Sequence, residues 1–114
     1  MRQIIDQLTT QKSINNSTCL VTLYVPSTGK ISDLNNRINS EISQGRNIKS
    51  RQTRQGVQDA LQAILSHLKG MKSVPNNGLA FFTGNTTEGF ENIVVEPQRP
   101  IYEFLYRCDN KFWV

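Results

Sequence analysis

The chain has 114 residues, 37% of them hydrophobic, and a formal net charge of +4 at pH 7. This length supports one domain with a hydrophobic core of its own, and the spread of aromatic residues argues against disorder. No apolar run approaches the roughly 20 residues of a membrane helix, and the first residues lack the apolar stretch of a secretory signal. We therefore expect a single cytoplasmic domain over residues 1–114 with no membrane association.

The first half of the chain predicts three helices around one strand. Residues 2–10 predict a short helix, and the nearly continuous apolar run 18–25 is typical of a strand covered on both faces. Apolar residues at helical spacing predict a second helix over 31–45. A longer third helix is predicted over 47–69, with Gly70 as its stop.

The second half of the chain predicts strands. Residues 79–83 and 90–96 flank a predicted hairpin loop at 84–89, and a further strand is predicted at 101–108, with a last one after a tight turn at 112–114. The two helices between the first two strands are long enough for a right-handed parallel crossover. The fold class is therefore α/β (α+β mixed), with a central mixed β-sheet of about four strands packed by three helices.

Positive charge is concentrated in one short stretch. Arg46, Lys49, Arg51 and Arg54 fall within nine residues that contain no acid, and their charge of +4 equals that of the whole chain. Such a local field suits the capture of a polyanion. A solvated helix face is the commoner meaning of a charge run, so charge alone leaves both interpretations open.

Two motifs occur in order along the chain. The first is Asn47-Ile48-Lys49-Ser50, and the second has the form Tyr-x-Cys-x-x-x-Phe, with Tyr106, Cys108 and Phe112 at its fixed positions. With these motifs, essentially the whole chain resembles the N-terminal domain of class-1 translation termination factors of archaea and eukaryotes.

The resemblance extends to two further positions. A glutamate six residues before the first motif is implicated in that family, and Glu41 stands at this position. The family's Gly-Thr-Ser motif before the first strand is here Asn16-Ser17-Thr18, which keeps the hydroxyls in swapped order and replaces glycine by asparagine. Asparagine tolerates left-handed backbone better than most residues, so the turn can persist.

The resemblance implies recognition of mRNA stop codons in the ribosomal decoding site. The implied partners are the stop codon and rRNA, and for the longer protein a class-2 GTPase release factor; no cofactor or metal is implied. In the family a Gly-Gly-Gln loop of a separate domain catalyses peptide release, and no Gly-Gly pair occurs in this chain. The chain is therefore expected to be an excised domain or a fragment of a longer factor. The implied codon-recognition residues are Ser17, Thr18, Glu41, Asn47, Ile48, Lys49, Ser50, Tyr106, Cys108, Asn110, Lys111 and Phe112, and the implied phosphate or rRNA contacts are Arg46, Arg51 and Arg54.

The residues of the first motif have simpler interpretations beside this one. Lys49 offers three donors on a long arm that can reach O4 of uracil or a phosphate, but it can also be an ordinary surface lysine. Asn47 and Ser50 are interpreted as helix caps through their side-chain oxygens. Ile48 is interpreted as a packing residue that holds the loop.

The second motif also combines contact and scaffold residues. Tyr106 can stack on a purine or donate to it, and Glu41 can accept from an exocyclic amine. The alternatives are a half-buried strand aromatic and a helix-surface acid. Cys108 and Phe112 are interpreted as scaffold, while Asn110 and Lys111 contact bases or phosphate or shape the turn. A single codon site requires the two motifs to lie together in space.

The sequence leaves one other function open and disfavours a second. A general ribosome- or tRNA-binding α/β module without codon preference is the alternative to stop-codon recognition. An enzyme is disfavoured, because His67 is the only histidine and no Cys/His cluster has metal-ligand spacing. Cys19 and Cys108 are interpreted as small buried thiols, and nothing in the sequence brings Cys108 and His67 together as nucleophile and base.

Overall fold

A computed structural model of the chain describes residues 20–86, 89–109 and 111–112. The elements in chain order are β1 (Leu20–Val25), α1 (Ile31–Gly45), α2 (Arg51–Lys69), β2 (Leu79–Thr86), β3 (Gly89–Val95) and β4 (Leu105–Asp109). The four strands form one sheet in the order β3-β2-β1-β4. The α/β class is confirmed, with two helices in this part of the chain. The helix predicted at residues 2–10 lies outside the described residues.

The predicted parallel pairing of the first two strands is wrong. β1 and β2 pair antiparallel, with Val25 opposite Leu79 and Val21 opposite Thr83, and the other two strand pairs are also antiparallel. The reason is the number of helices that connect β1 to β2. Because α1 and α2 run back and forth as a pair, the chain enters β2 at the end of the sheet where β1 finished. A single crossover helix would have returned it to the other end.

The hydrophobic core lies between the two helices and one face of the sheet. Apolar residues at helical spacing on both helices are buried against this face, as predicted. They are Leu34, Ile38 and Ile42 on α1 and Val57, Leu61, Ile64 and Leu68 on α2, packed with Val21, Leu23 and Phe81 of the sheet. The other face carries a second buried cluster that includes Leu20, Phe82 and Phe112. The prediction that β1 is covered on both faces is therefore confirmed.

The second long helix begins at Arg51, four residues later than predicted. The intervening N–H groups bond back to the end of α1: those of Arg46, Asn47 and Ile48 donate to the carbonyls of residues 43, 44 and 45. Since these residues continue the last turn of α1, they cannot also open α2. We call residues 46–50, between the two helices, the basic loop.

Two boundaries in the sheet also differ from prediction. The β2–β3 ladder continues to Thr86 opposite Gly89, so the hairpin connection is shorter than residues 84–89. The last paired strand begins at Leu105 rather than at residue 101, because the preceding segment bonds to a turn instead of to the sheet. Asn77 accepts from the N–H of Ile101 through its carbonyl, and its side-chain amide donates to the carbonyls of residues 97 and 98. Beyond β4, Lys111 lies in an isolated bridge, and residues 113–114 of the predicted last strand are not described.

Candidate functional site

The two sequence motifs meet at one end of the domain. The register places Val21 opposite Cys108 and Leu23 opposite Tyr106. Because Val21 and Leu23 face the helices, Tyr106 and Cys108 point to the same helix-covered face of the sheet. α1 ends and α2 begins at this same end, where Gly45 lies beside Val57 of α2. The expected proximity of the motifs is therefore confirmed.

A small cleft of about 180 Å³ lies at this meeting point. Its walls come from the end of α1, the basic loop, the first half of α2 and the outer strand β4. The residues that line it are Glu41, Gln44, Gly45, Ile48, Val57, Tyr106 and Cys108. Its floor is largely apolar, and the carboxylate of Glu41 and the phenol of Tyr106 supply polar groups at its wall. Such a mixture suits a flat, partly polar group such as a nucleobase.

Sequence reasoning missed Gln44, Gly45 and Val57 as cleft residues. A signal for two of them was present, because positions three and four residues after Glu41 share its helix face. The helical spacing of apolar residues puts Val57 on the inward face of α2, but it does not encode which strand Val57 faces.

Tyr106 is held as a neutral phenol. Its hydroxyl lies 2.9 Å from the sulfur of Cys108. Burial raises the pKa of Tyr106 well above its ordinary value, and the neighbouring Cys108 and the negative charge of Glu41 raise this pKa further. The phenol therefore keeps its proton at physiological pH and can act as a hydrogen-bond donor beside the Glu41 carboxylate. Cys108 forms no disulfide, and its thiol is half-buried rather than fully buried as predicted.

The basic loop presents its long polar side chains outward. Arg46, Asn47 and Lys49 are exposed, and Ile48 is half-buried and packs on the core. Ser50 has an extended backbone and is the N-cap of α2, with its Oγ accepting from the Thr53 N–H at 3.3 Å. The cap predicted for Ser50 and the packing role predicted for Ile48 are confirmed. A cap at Asn47 is wrong, since the helix starts four residues further on.

The three arginines around the loop differ in their surroundings. Arg46 and Arg51 are exposed. Arg54 is half-buried, and its Nη1 donates to the carbonyl of Ile48 at 3.1 Å. This bond to the protein's own backbone was not indicated by the sequence.

The second motif is divided between the two faces of the sheet. Phe112 is buried on the face away from the helices, with its ring edge-to-face against Phe82 at 5.9 Å. It therefore anchors the chain after β4, and its predicted scaffold role is confirmed. Lys111, directly before Phe112, is exposed. Asn110, Ser17 and Thr18 lie outside the described residues.

The structure separates the residues considered for an enzyme. Cys108 lines the cleft with Val57, whereas His67 lies ten residues further along α2, about 15 Å at the helical rise. The His67 ring packs edge-to-face on Phe81 at 5.5 Å. Its role in the fold is therefore packing on the sheet.

Comparison with known proteins places this geometry in a family. The family model described as eRF1 domain 1 matches residues 1–114. The chain belongs to this family. The resemblance indicated by the two motifs is thereby confirmed, and the cleft and basic loop are features of an eRF1 domain 1.

Similar proteins agree with this assignment. The chain is 37% identical over 119 residues to peptide chain release factor subunit 1 of Methanocaldococcus jannaschii, covering 99% of this chain and 28% of the relative. It is 35% identical over 117 residues to the protein of the same name in Methanopyrus kandleri, covering 99% and 28%. The chain thus spans under a third of the length of these relatives.

A solved structure shares the fold of this eRF1 domain 1. The crystal structure of archaeal translation termination factor aRF1 matches with a TM-score of 0.90 and 34% identity, over 98% of this chain and 31% of that one. No helix in the described part of our chain is long and apolar enough to cross a membrane. Within residues 20–86, 89–109 and 111–112, no group of three or more His, Cys, Asp or Glu side chains is placed to hold a metal ion.

Proposed function

We propose that this eRF1 domain 1 recognises mRNA stop codons in the ribosomal A site as part of a longer release factor of the cytoplasm. The observation that carries the proposal is the convergence of both motifs on one cleft, with Glu41 and Tyr106 at its wall and the exposed Lys49 on the adjoining loop. A codon reader needs donors and acceptors for base edges, a shape check and charge for the backbone. All three are present at this end of the domain.

Each group of the site has a chemical role in this proposal. Lys49 donates to O4 of the first-position uridine, which every stop codon shares. The second and third positions are purines, whose exocyclic groups differ. The Glu41 carboxylate accepts from an exocyclic amine, and the neutral Tyr106 phenol donates or stacks. The resemblance to the family also implies codon contacts for Ser17, Thr18, Asn110 and Lys111. Asn47 and Ser50 shape the loop, and Cys108 and Phe112 support the site.

The positive charge in the basic loop and at the start of α2 serves a different purpose. Arg46 and Arg51 are exposed and neutralise phosphates of rRNA or mRNA, which adds affinity without sequence information. Peptide release is catalysed by a domain outside this chain, so the domain itself acts in recognition and has no catalytic residue. A class-2 GTPase is the proposed partner of the complete factor, and no cofactor is required.

The experiment is binding of a complete factor carrying this domain to ribosomes programmed with UAA, UAG, UGA or the sense codon UGG. We expect binding at one or more stop codons and weak binding at UGG. Equal affinity at all four codons would contradict stop-codon recognition and would identify the domain as a general ribosome-binding module.

A further inference from the structure

The backbone on both sides of Lys49 is attached to one residue of α2. Nη1 of Arg54 donates to the Ile48 carbonyl at 3.1 Å, and the backbone N–H of Arg54 donates to the Ser50 carbonyl at 2.8 Å. The first bond has a charged donor and is partly buried, which makes it stronger than a neutral surface bond. Lys49 is thus the exposed residue between two anchored carbonyls.

A second attachment lies one turn further along α2. The amide Nε2 of Gln58 donates to the Ile42 carbonyl, in the last turn of α1, at 2.8 Å. In a regular helix this carbonyl would accept from the backbone N–H of Arg46. Here the Arg46 N–H instead donates to the Ser43 carbonyl at 3.4 Å. The side chain of Gln58 therefore satisfies the carbonyl that the tightened helix end leaves open.

Gly45 makes this approach possible. A Cβ at position 45 would lie 2.9 Å from Nε2 of Gln58, closer than real side chains tolerate. The positions of Arg54 and Gln58, four residues apart, place both side chains on the face of α2 that meets the basic loop and the end of α1. Gln58 thus anchors the carbonyl of Ile42 before the basic loop, and Arg54 anchors the carbonyl of Ile48 within it.

We propose that Arg54 and Gln58 are positioning residues, which hold the basic loop in the conformation that presents Lys49 to the codon. This inference rests on the proposed function. The charge of Arg54 suggested a phosphate contact. The Arg54 guanidinium instead bonds to the backbone of the basic loop, so Arg54 affects codon reading by positioning Lys49. Gln58 carries no charge, so it separates positioning from attraction to phosphate.

The test compares Gln58→Leu with the parent in a complete factor carrying this domain. Amide hydrogen exchange of residues 46–50 should become about tenfold faster, because the partly buried hydrogen bond that anchors the end of α1 before the loop is lost. Codon-dependent binding to ribosomes should weaken about fivefold or more by the usual value of a base contact. The salt dependence of binding should stay unchanged, since no charge is removed.

Two further variants complete the test. Gln62→Leu is the matched control, because it makes the same substitution at an exposed site one turn further along α2; it should leave loop exchange and binding as in the parent. Arg54→Lys keeps the positive charge but loses the planar guanidinium. It should reproduce the faster loop exchange and weaker codon-dependent binding with an unchanged salt dependence. Exchange of amides in β1 and β2 shows that each variant is folded.

Three results would overturn the inference. Parental loop exchange in both Gln58→Leu and Arg54→Lys would show that these side chains do not hold the loop. Faster exchange with undiminished codon-dependent binding would show that loop conformation does not matter for reading. A parent factor without codon dependence would overturn the proposed function and this role with it, and that failure is distinguishable because loop exchange is measured without ribosomes.

Discussion

Gly45 ends α1 at the wall of the cleft, and Gly45→Ala is the substitution that tests this site most directly. The new Cβ would lie 2.9 Å from Nε2 of Gln58 and 3.7 Å from Cγ1 of Val57. The second distance is ordinary van der Waals contact, so the strain falls on the Gln58 amide. Because this amide is the end of a flexible side chain, it can swing away, but it then loses its 2.8 Å bond to the Ile42 carbonyl.

The effect on stability should be small because two terms oppose each other. Loss of one partly buried hydrogen bond costs about 0.5–1.5 kcal/mol. Alanine is more favourable than glycine in a helix by up to about 1 kcal/mol. The free energy of unfolding should therefore change by less than about 1 kcal/mol.

The effect on codon recognition should be larger. The added methyl group enters the cleft, and the freed Gln58 side chain loosens the helix end that precedes the basic loop. Loss of one base contact is worth about 1–3 kcal/mol, which corresponds to roughly fivefold to hundredfold weaker codon-dependent binding.

The assay pairs denaturant unfolding of the chain with binding of a complete factor to ribosomes programmed with stop codons. Gly70→Ala is the matched control, since Gly70 ends α2 with a helical backbone and a Cβ there would come no closer than 3.7 Å to the His67 carbonyl. Codon-dependent binding at the parental level in Gly45→Ala would show that the cleft does not take the codon. A loss of unfolding free energy well above about 2 kcal/mol would refute the account of the Gln58 amide.

Three other predictions follow from the site. Lys49→Ala in a complete factor should impair release about fivefold or more at UAA, UAG and UGA alike, because all three share the uridine assigned to it; normal release at all three would contradict that assignment. Arg51→Ala should weaken ribosome binding equally at every codon and lower the salt slope by about 0.7–0.9 for one phosphate contact; a loss at one codon only would show base reading instead. Unfolding free energy of the parent should fall as pH rises above about 10, where the unfolded chain releases the Tyr106 proton that the folded state keeps, and Tyr106→Phe should flatten this fall. Equal slopes in parent and variant between about pH 10 and 11, measured by denaturant unfolding, would refute the burial of that phenol.

The sequence by itself determined the local elements and the family. Helical spacing of apolar residues predicted α1 over residues 31–45 and the end of α2 at Lys69, as observed. β-rich runs between turn residues predicted the locations of all four strands of the described sheet, with errors at the strand ends. The two motifs identified the family before any geometry was known. These features are local because periodicity and turn chemistry depend on residues that are close along the chain.

Only the tertiary structure decided how the elements join and what the loop residues bond to. The direction of β2 beside β1 depends on the path of two whole helices, which no short pattern encodes. The same holds for Arg54, whose charge left a phosphate contact and a solvated helix face both open, and for Gln58, which no sequence pattern singled out. Their acceptors are the backbone carbonyls of Ile48 and Ile42, and every residue has such a carbonyl. Which one stays open for a side chain is settled by how the helix end turns and where the neighbouring helix packs.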